Sequence, residues 1–81
     1  MSVSVRKAKI LDVISRLGEA SAQRVYDELR EDVTINAVRM CLRNYYVQGL
    51  LKRKKLLGVY VYSLTGKGKS RLKYFRNKGI I

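Results

Sequence analysis

The sequence contains no histidine, no proline and a single cysteine, Cys41. Without histidine there is no imidazole to act as a proton shuttle, and one thiol makes no internal disulfide. Zinc sites built from Cys and His, and Cys/His or Ser/His nucleophilic catalysis, are therefore excluded for a single chain. The absence of proline goes with the absence of a stiff linker or repeat boundary, and no internal repeat is present. No apolar run approaches the roughly 18 residues needed to span a bilayer. The N-terminus does not read as a secretion signal, because Arg6, Lys7 and Lys9 lead into an amphipathic segment. An intracellular protein of one domain is expected, with a core small enough that a second subunit would aid stability.

The most informative absence is of acid. All six Asp and Glu (Asp12, Glu19, Asp27, Glu28, Glu31, Asp32) precede Thr34. Six of the 18 Lys and Arg share that stretch (Arg6, Lys7, Lys9, Arg16, Arg24, Arg30), so residues 1–33 are neutral. The other twelve lie in residues 34–81 and supply the whole net charge of +12. A merely soluble surface mixes signs. A stretch without carboxylates suits a polyanionic partner, since each carboxylate would repel phosphates. A solubilising charge or an anionic membrane surface is the alternative reading. No acid–base pair or metal cluster stands out, so neither enzyme activity nor a cofactor or metal is expected.

The chain is organised around residues 34–64. Thr34 predicts an N-cap and Gly49 a C-terminal stop, with a helix between them over 34–48. Val38, Cys41, Leu42 and Tyr45 repeat at +3, +4 and +7 and define its apolar face. Ile35, Asn36, Arg39, Met40 and Arg43 fall on the opposite face. Cys41 reads as a small core residue, with a redox or inter-subunit role as the alternative. Residues 50–64 predict a hairpin hinged at Gly58, its first arm carrying Lys52, Arg53, Lys54 and Lys55. In the second arm Tyr60, Tyr62 and Leu64 alternate with Val59 and Val61, and the Tyr62–Leu64 face is taken as the inner one. Tyr45, Tyr60 and Tyr62 read as core with the hydroxyl at the rim, and Tyr46 as exposed. Leu56 and Leu57 are unusual residues for a hairpin tip.

Around this unit, residues 1–5 read as a loose arm. Residues 6–17 form a helix on the stripe Ile10, Val13, Ile14, Leu17, which Gly18 closes. Glu19-Ala20-Ser21 is a connector with at most a residue or two of extended chain. Ser21 caps a helix over 22–30 that buries Ala22, Val25, Leu29 and part of Tyr26 and exposes Asp27, Glu28 and Glu31. Residues 31–33 turn into the central helix, with Val33 as a staple residue. Thr65 caps a last helix over 66–77, whose first turn is weakened by Gly66 and Gly68. Leu72, Phe75, Ile80 and Ile81 offer apolar surface either for a two-fold interface or for closing the chain's own core.

The order of elements, and the spacing AVRMCLRNYYVQGLLKR…VYVYSLTGKGK, resemble the winged helix-turn-helix domains of bacterial and archaeal transcription regulators. The resemblance runs from about Ile10 to Phe75. It lies in a recognition helix ending in Gly-Leu, a wing ending in Tyr-x-Leu-Thr, and a Lys-Gly opening the last helix. It implies an α+β, mainly α fold: a three-helix core, a two-stranded β-wing and a short C-terminal helix. The wing departs from the pattern in being short, with Leu56-Leu57 at its tip.

The resemblance further implies a bare DNA-binding module, such as small archaeal, viral or plasmid regulators contain, cytoplasmic and nucleoid-associated. No small-molecule ligand is evident. The Thr34 helix would enter the major groove. Asn36 and Arg39 would read adenine and guanine, and Ile35 and Met40 would meet thymine methyls. Thr34, Arg43, Lys52, Arg53, Lys54, Lys55, Lys67 and Lys69 would contact the backbone of double-stranded DNA. A homodimer through Leu72, Phe75, Ile80 and Ile81 would set two recognition helices roughly 34 Å apart. An RNA-binding winged-helix protein of ribosomal type and a non-specific architectural DNA binder are the alternatives.

Overall fold

The computed structural model describes residues 3–29 and 33–81. Its elements run α1 (Val3–Leu17), β1 (Ala20–Ser21), α2 (Ala22–Leu29), α3 (Ile35–Val47), β2 (Leu51–Leu56), β3 (Val59–Leu64) and α4 (Gly66–Asn77). The apolar stripes read from the sequence face the core, with Leu17, Ala22, Leu29 and Cys41 half-buried at its margin. Ile10, Leu11 and Ile14 of α1 meet Val25 of α2 and Val38 and Leu42 of α3, all out of solvent. Leu50, Leu51, Tyr62 and Leu64 close this core from the hairpin side.

Two boundaries differ from expectation. Helix α1 begins at Val3, so the expected loose arm is helical from there; Met1 and Ser2 lie outside the described residues, as do the expected helical Arg30 and the turn residues Glu31 and Asp32. Ala8 is fully buried, and the Lys7 Nζ donates to Gln48 Oε1 at 3.1 Å above the Tyr45 ring. These contacts fasten the start of α1 to the end of α3. The connector also contributes more than a turn. Ala20 and Ser21 pair with Tyr62 and Val61, so the wing is part of a three-stranded antiparallel sheet of order β1-β3-β2. Two residues of β1 cover one edge of β3 that would otherwise be left unpaired. The Ser21 hydroxyl then accepts from the Arg24 N–H at 3.3 Å, capping α2 as expected.

The β2–β3 register sorts the basic run by face. Leu51, Arg53 and Lys55 stand opposite Leu64, Tyr62 and Tyr60, and directly paired residues share a face. Lys52, Lys54 and Leu56 share the other face with Ser63, Val61 and Val59. The strands are joined by Leu57 and Gly58, with φ of 50° and 81°. Two consecutive positive φ values are the pattern of a type I′ turn, which favours Asn-Gly. Leucine in the left-handed region costs about 1 kcal/mol or more.

Helix α3 ends in a Schellman motif. Gly49 (φ 81°) donates to Tyr46 O, and Leu50 donates to Tyr45 O. The Thr65 hydroxyl links this end to α4: it accepts from the Gly68 N–H at 3.0 Å and donates to Gly49 O at 2.6 Å. Thr65→Ala removes a cap and a hydrogen bond together. It is expected to cost about 1–2 kcal/mol, lowering the calorimetric midpoint by roughly 5–15 °C, with Thr65→Ser restoring most of the loss.

The surface expected to pair two subunits is largely used internally. Helix α4 lies against α1 and β3, and Leu72 and Phe75, one turn apart on its inner stripe, are 2 % and 4 % exposed. Ile80 is half-buried against the same core, following a second Schellman turn at Gly79. Of the four residues, Ile81 alone is exposed. Leu72 and Phe75 therefore close the monomer rather than offer an interface.

Candidate nucleic-acid interface

Helix α3 is fixed at both ends, which sets the direction of its outer face. Thr34 Oγ1 accepts from the Ala37 N–H at 3.1 Å, so this hydroxyl serves as the N-cap. At the other end the Lys67 Nζ donates to Gln48 O at 2.9 Å. That places a cation on the negative end of the helix dipole, a structural role that its expected phosphate contact left out. Between the ends, Asn36, Arg39, Met40 and Arg43 are exposed and Ile35 is half-buried. The Arg39 Nη1 lies 3.5 Å from Asn36 Oδ1, at the outer limit of a hydrogen bond. Asn44 and Val47 extend the exposed face by a further turn and were not singled out in the sequence.

The wing packs against this face through one arginine. The Arg53 Cζ sits 4.1 Å from the Tyr46 ring centroid and 4.2 Å from that of Tyr60. A planar guanidinium within about 4 Å of two ring centroids gains a cation–π contact with each. Hydrogen bonding to Tyr62 is the leading cause that pushes its pKa above the ordinary arginine value. Tyr60 is therefore not a core residue as expected: it is 43 % exposed, on the stretch of the inner face that extends past the body. Tyr45 and Tyr62 are core. Burial, and then the neighbouring Cys41, push the Tyr45 phenol well above its usual range. Arg53→Lys keeps the charge but loses the planar stack. A fall of a few degrees in the thermal midpoint is expected, with weakened Tyr near-ultraviolet dichroism.

Between α3, the start of α2 and the wing lies an open groove of about 500 Å³. Arg39 and Arg43 line one side, Arg53, Val59 and Tyr60 another, and Ser21 and Gln23 its end. Among the described residues, none that lines it is acidic. Ser21 and Gln23 belong to the neutral part of the sequence, where charge gave no signal. The described carboxylates that make ion pairs do so elsewhere: Asp12 with Arg16 and Arg76, Glu28 with Arg24, and Glu19 with Lys54 at 3.1 Å.

The expected backbone-contacting set thus divides. Arg43 and Arg53 converge on the groove, and Lys55 shares Arg53's face, 5.6 Å from the Tyr60 ring. Lys52 and Lys54 occupy the opposite face of the wing, Lys54 paired with Glu19. Lys69 is exposed on α4. Among the described residues no group of His, Cys, Asp and Glu is arranged to hold a metal ion. No described helix is long and apolar enough to cross a membrane.

No protein-family model matches the sequence, and no curated protein matches it. Solved structures do match the fold. Sso10a-2, a DNA-binding protein from Sulfolobus solfataricus, superposes with a TM-score of 0.84 at 17 % identity, over 96 % of this chain and 78 % of that one. The oxidised form of MarR from E. coli gives 0.78 at 17 % identity, over 89 % of this chain and 52 % of that one. BpsR of Bordetella bronchiseptica, whose DNA binding is regulated by 6-hydroxynicotinic acid, gives 0.79 at 14 % identity, over 99 % and 61 %. The chain thus spans little more than half the length of the latter two. Helix order, third strand, hairpin and closing helix together identify the architecture: the chain has the winged helix-turn-helix fold.

Proposed function

We propose that the chain is a duplex-DNA-binding transcription regulator that reads sequence with α3 and grips the backbone with its wing. The observation that carries this reading is the acid-free groove where Arg39, Arg43 and Arg53 converge beside the exposed face of α3. It is supported by the DNA-binding described for Sso10a-2 and BpsR, which share the fold. In this reading α3 lies in the major groove. Asn36 and Arg39 address base edges, Ile35 and Met40 address thymine methyls, and Arg43, Lys55, Lys52 and Lys69 address phosphates. Arg53 holds the wing at its angle to α3 as well as adding charge. Lys54 contacts phosphate only by exchanging its Glu19 partner.

The same reading has the protein pair with a second copy through exposed side chains of α4 and the C-terminus, Tyr74 and Ile81, because Leu72 and Phe75 are committed to the core. It acts without a cofactor, in the cytoplasm at the nucleoid. Selection from a random duplex library at about 150 mM salt, with folded RNA as competitor, tests it. Enrichment of an inverted repeat is expected, and Arg39→Ala should relax one position of the motif at a cost of about 1–3 kcal/mol. Recovery of no motif, or preferential capture by RNA, would overturn it.

A further inference from the structure

The wing tip has a composition that neither the fold nor phosphate contact uses. Leu57 is 103 % exposed and is held at φ 50°, where glycine or asparagine would be easier. Leu56 and Val59 are paired across the ladder on either side of it, and both are exposed. The tip is thus a cap of three apolar side chains, immediately preceded by Lys54 and Lys55.

Its position selects the partner. Gly58 and Val59 line the same groove as Arg39 and Arg43, so the base of the tip adjoins the arginines, while Leu57 projects beyond the groove into solvent. Beyond Arg53, anchored on Tyr46, the strand runs four residues to Leu57, about 13 Å of extended chain. That matches the roughly 12 Å width of the major groove, and so carries the tip to the adjoining minor groove. An anionic rim with an apolar interior is also offered by a lipid headgroup layer. A concave basic surface, however, seats a rod, and a flat bilayer does not reach its floor.

Resting on the reading of the chain as a duplex-DNA binder, we infer that Leu57 is a wedge. It enters the minor groove between base steps and bends the duplex. Leu56 and Val59 follow it against the sugar walls, while Lys55, and Lys54 on leaving Glu19, engage the flanking phosphates.

The test uses the full chain and a mixed-sequence duplex of about 30 base pairs with a central TA step, the easiest kind to unstack, labelled at both ends for energy transfer. Wild type is expected to shorten the end-to-end distance by an amount corresponding to a bend of roughly 20–90°. Leu57→Asn suits the turn, so the variant should fold at least as stably as wild type. It should bind within about tenfold of wild type with an unchanged salt slope, and leave the duplex straight. Leu57→Met should keep the bend. Wild type binding without bending, or Leu57→Asn bending fully, would overturn the wedge and leave DNA binding standing. Failure of wild type to bind the duplex at all would remove both. Anionic phosphatidylserine vesicles should capture wild type and Leu57→Asn to the same extent, through charge alone. Capture that Leu57→Asn abolishes would reassign the tip to a membrane surface.

Discussion

Gly68→Ala should lower the thermal midpoint by roughly 8–24 °C, the opposite of what the same exchange does two residues earlier. Both glycines lie in the first turn of α4, where alanine is the better helix former by up to about 1 kcal/mol. At Gly66 nothing lies within 4 Å of an added Cβ and φ is ordinary, so Gly66→Ala should stabilise by about 0.4–1 kcal/mol. At Gly68 the added Cβ would overlap the Leu50 carbonyl oxygen and press on Leu64. That carbonyl also accepts from the Thr65 N–H at 3.1 Å, and Leu50 is the buried residue that closes α3's terminal turn. Relief requires α4 to shift off the α3–β2 corner, breaking the Thr65 contacts. Overpacking against backbone costs about 3 kcal/mol here, outweighing the propensity gain. At about 4–8 °C per kcal/mol for a domain of this size the fall follows. Calorimetry on both variants checks it; equal shifts at the two positions would mean that α4 does not approach Leu50 closely.

The second large effect concerns binding. Reversing both groove arginines, Arg39→Glu with Arg43→Glu, should weaken duplex DNA binding at least roughly a thousandfold, or about 4 kcal/mol. Two favourable phosphate or base contacts are lost, each worth about 1 kcal/mol or more, and two repulsions of similar size replace them. Gross charge alone does not account for such a loss. The matched control, Arg71→Glu with Lys73→Glu, makes the same change of net charge on exposed positions of α4. It alters only long-range attraction, so a loss of about tenfold or less is expected at physiological salt. Fluorescence anisotropy with one labelled duplex measures both, and far-ultraviolet dichroism should be unchanged because all four side chains are exposed. Equal losses would show that binding depends on total charge and not on the groove.

Much of this organisation was legible in the chain, because helical stripes and caps are local signals. The run Val38, Cys41, Leu42, Tyr45, bracketed by Thr34 and Gly49, marked α3 to within a residue of its observed bounds. The same held for Thr65 and α4. What was not legible depends on contacts between distant segments. The residue or two of extended chain read at Ala20–Ser21 is there, but nothing local showed that it pairs with β3. Tyr60 obeys the alternation that buries Tyr62 and Leu64, but the body beneath it has ended. Lys67 reads as one more basic residue until α4 brings it onto the last carbonyl of α3. The apolar surface of Leu72 and Phe75 was evident, whereas its cover, α1, is a tertiary fact. For the groove, charge pointed to Arg39, Arg43 and Arg53, and nothing local pointed to the Tyr46–Arg53–Tyr60 stack that holds two of its walls together.

The central claim, that the acid-free surface of α3 and the wing binds a nucleic acid duplex through its phosphates, is tested most directly by the salt dependence of duplex binding. With about four to six phosphates neutralised per chain, log affinity should fall with log salt at a slope of roughly −4 to −5 between about 50 and 200 mM. The Arg43→Ala variant should flatten that slope by about one unit. A slope near zero, or no binding at the lowest salt, would contradict the account.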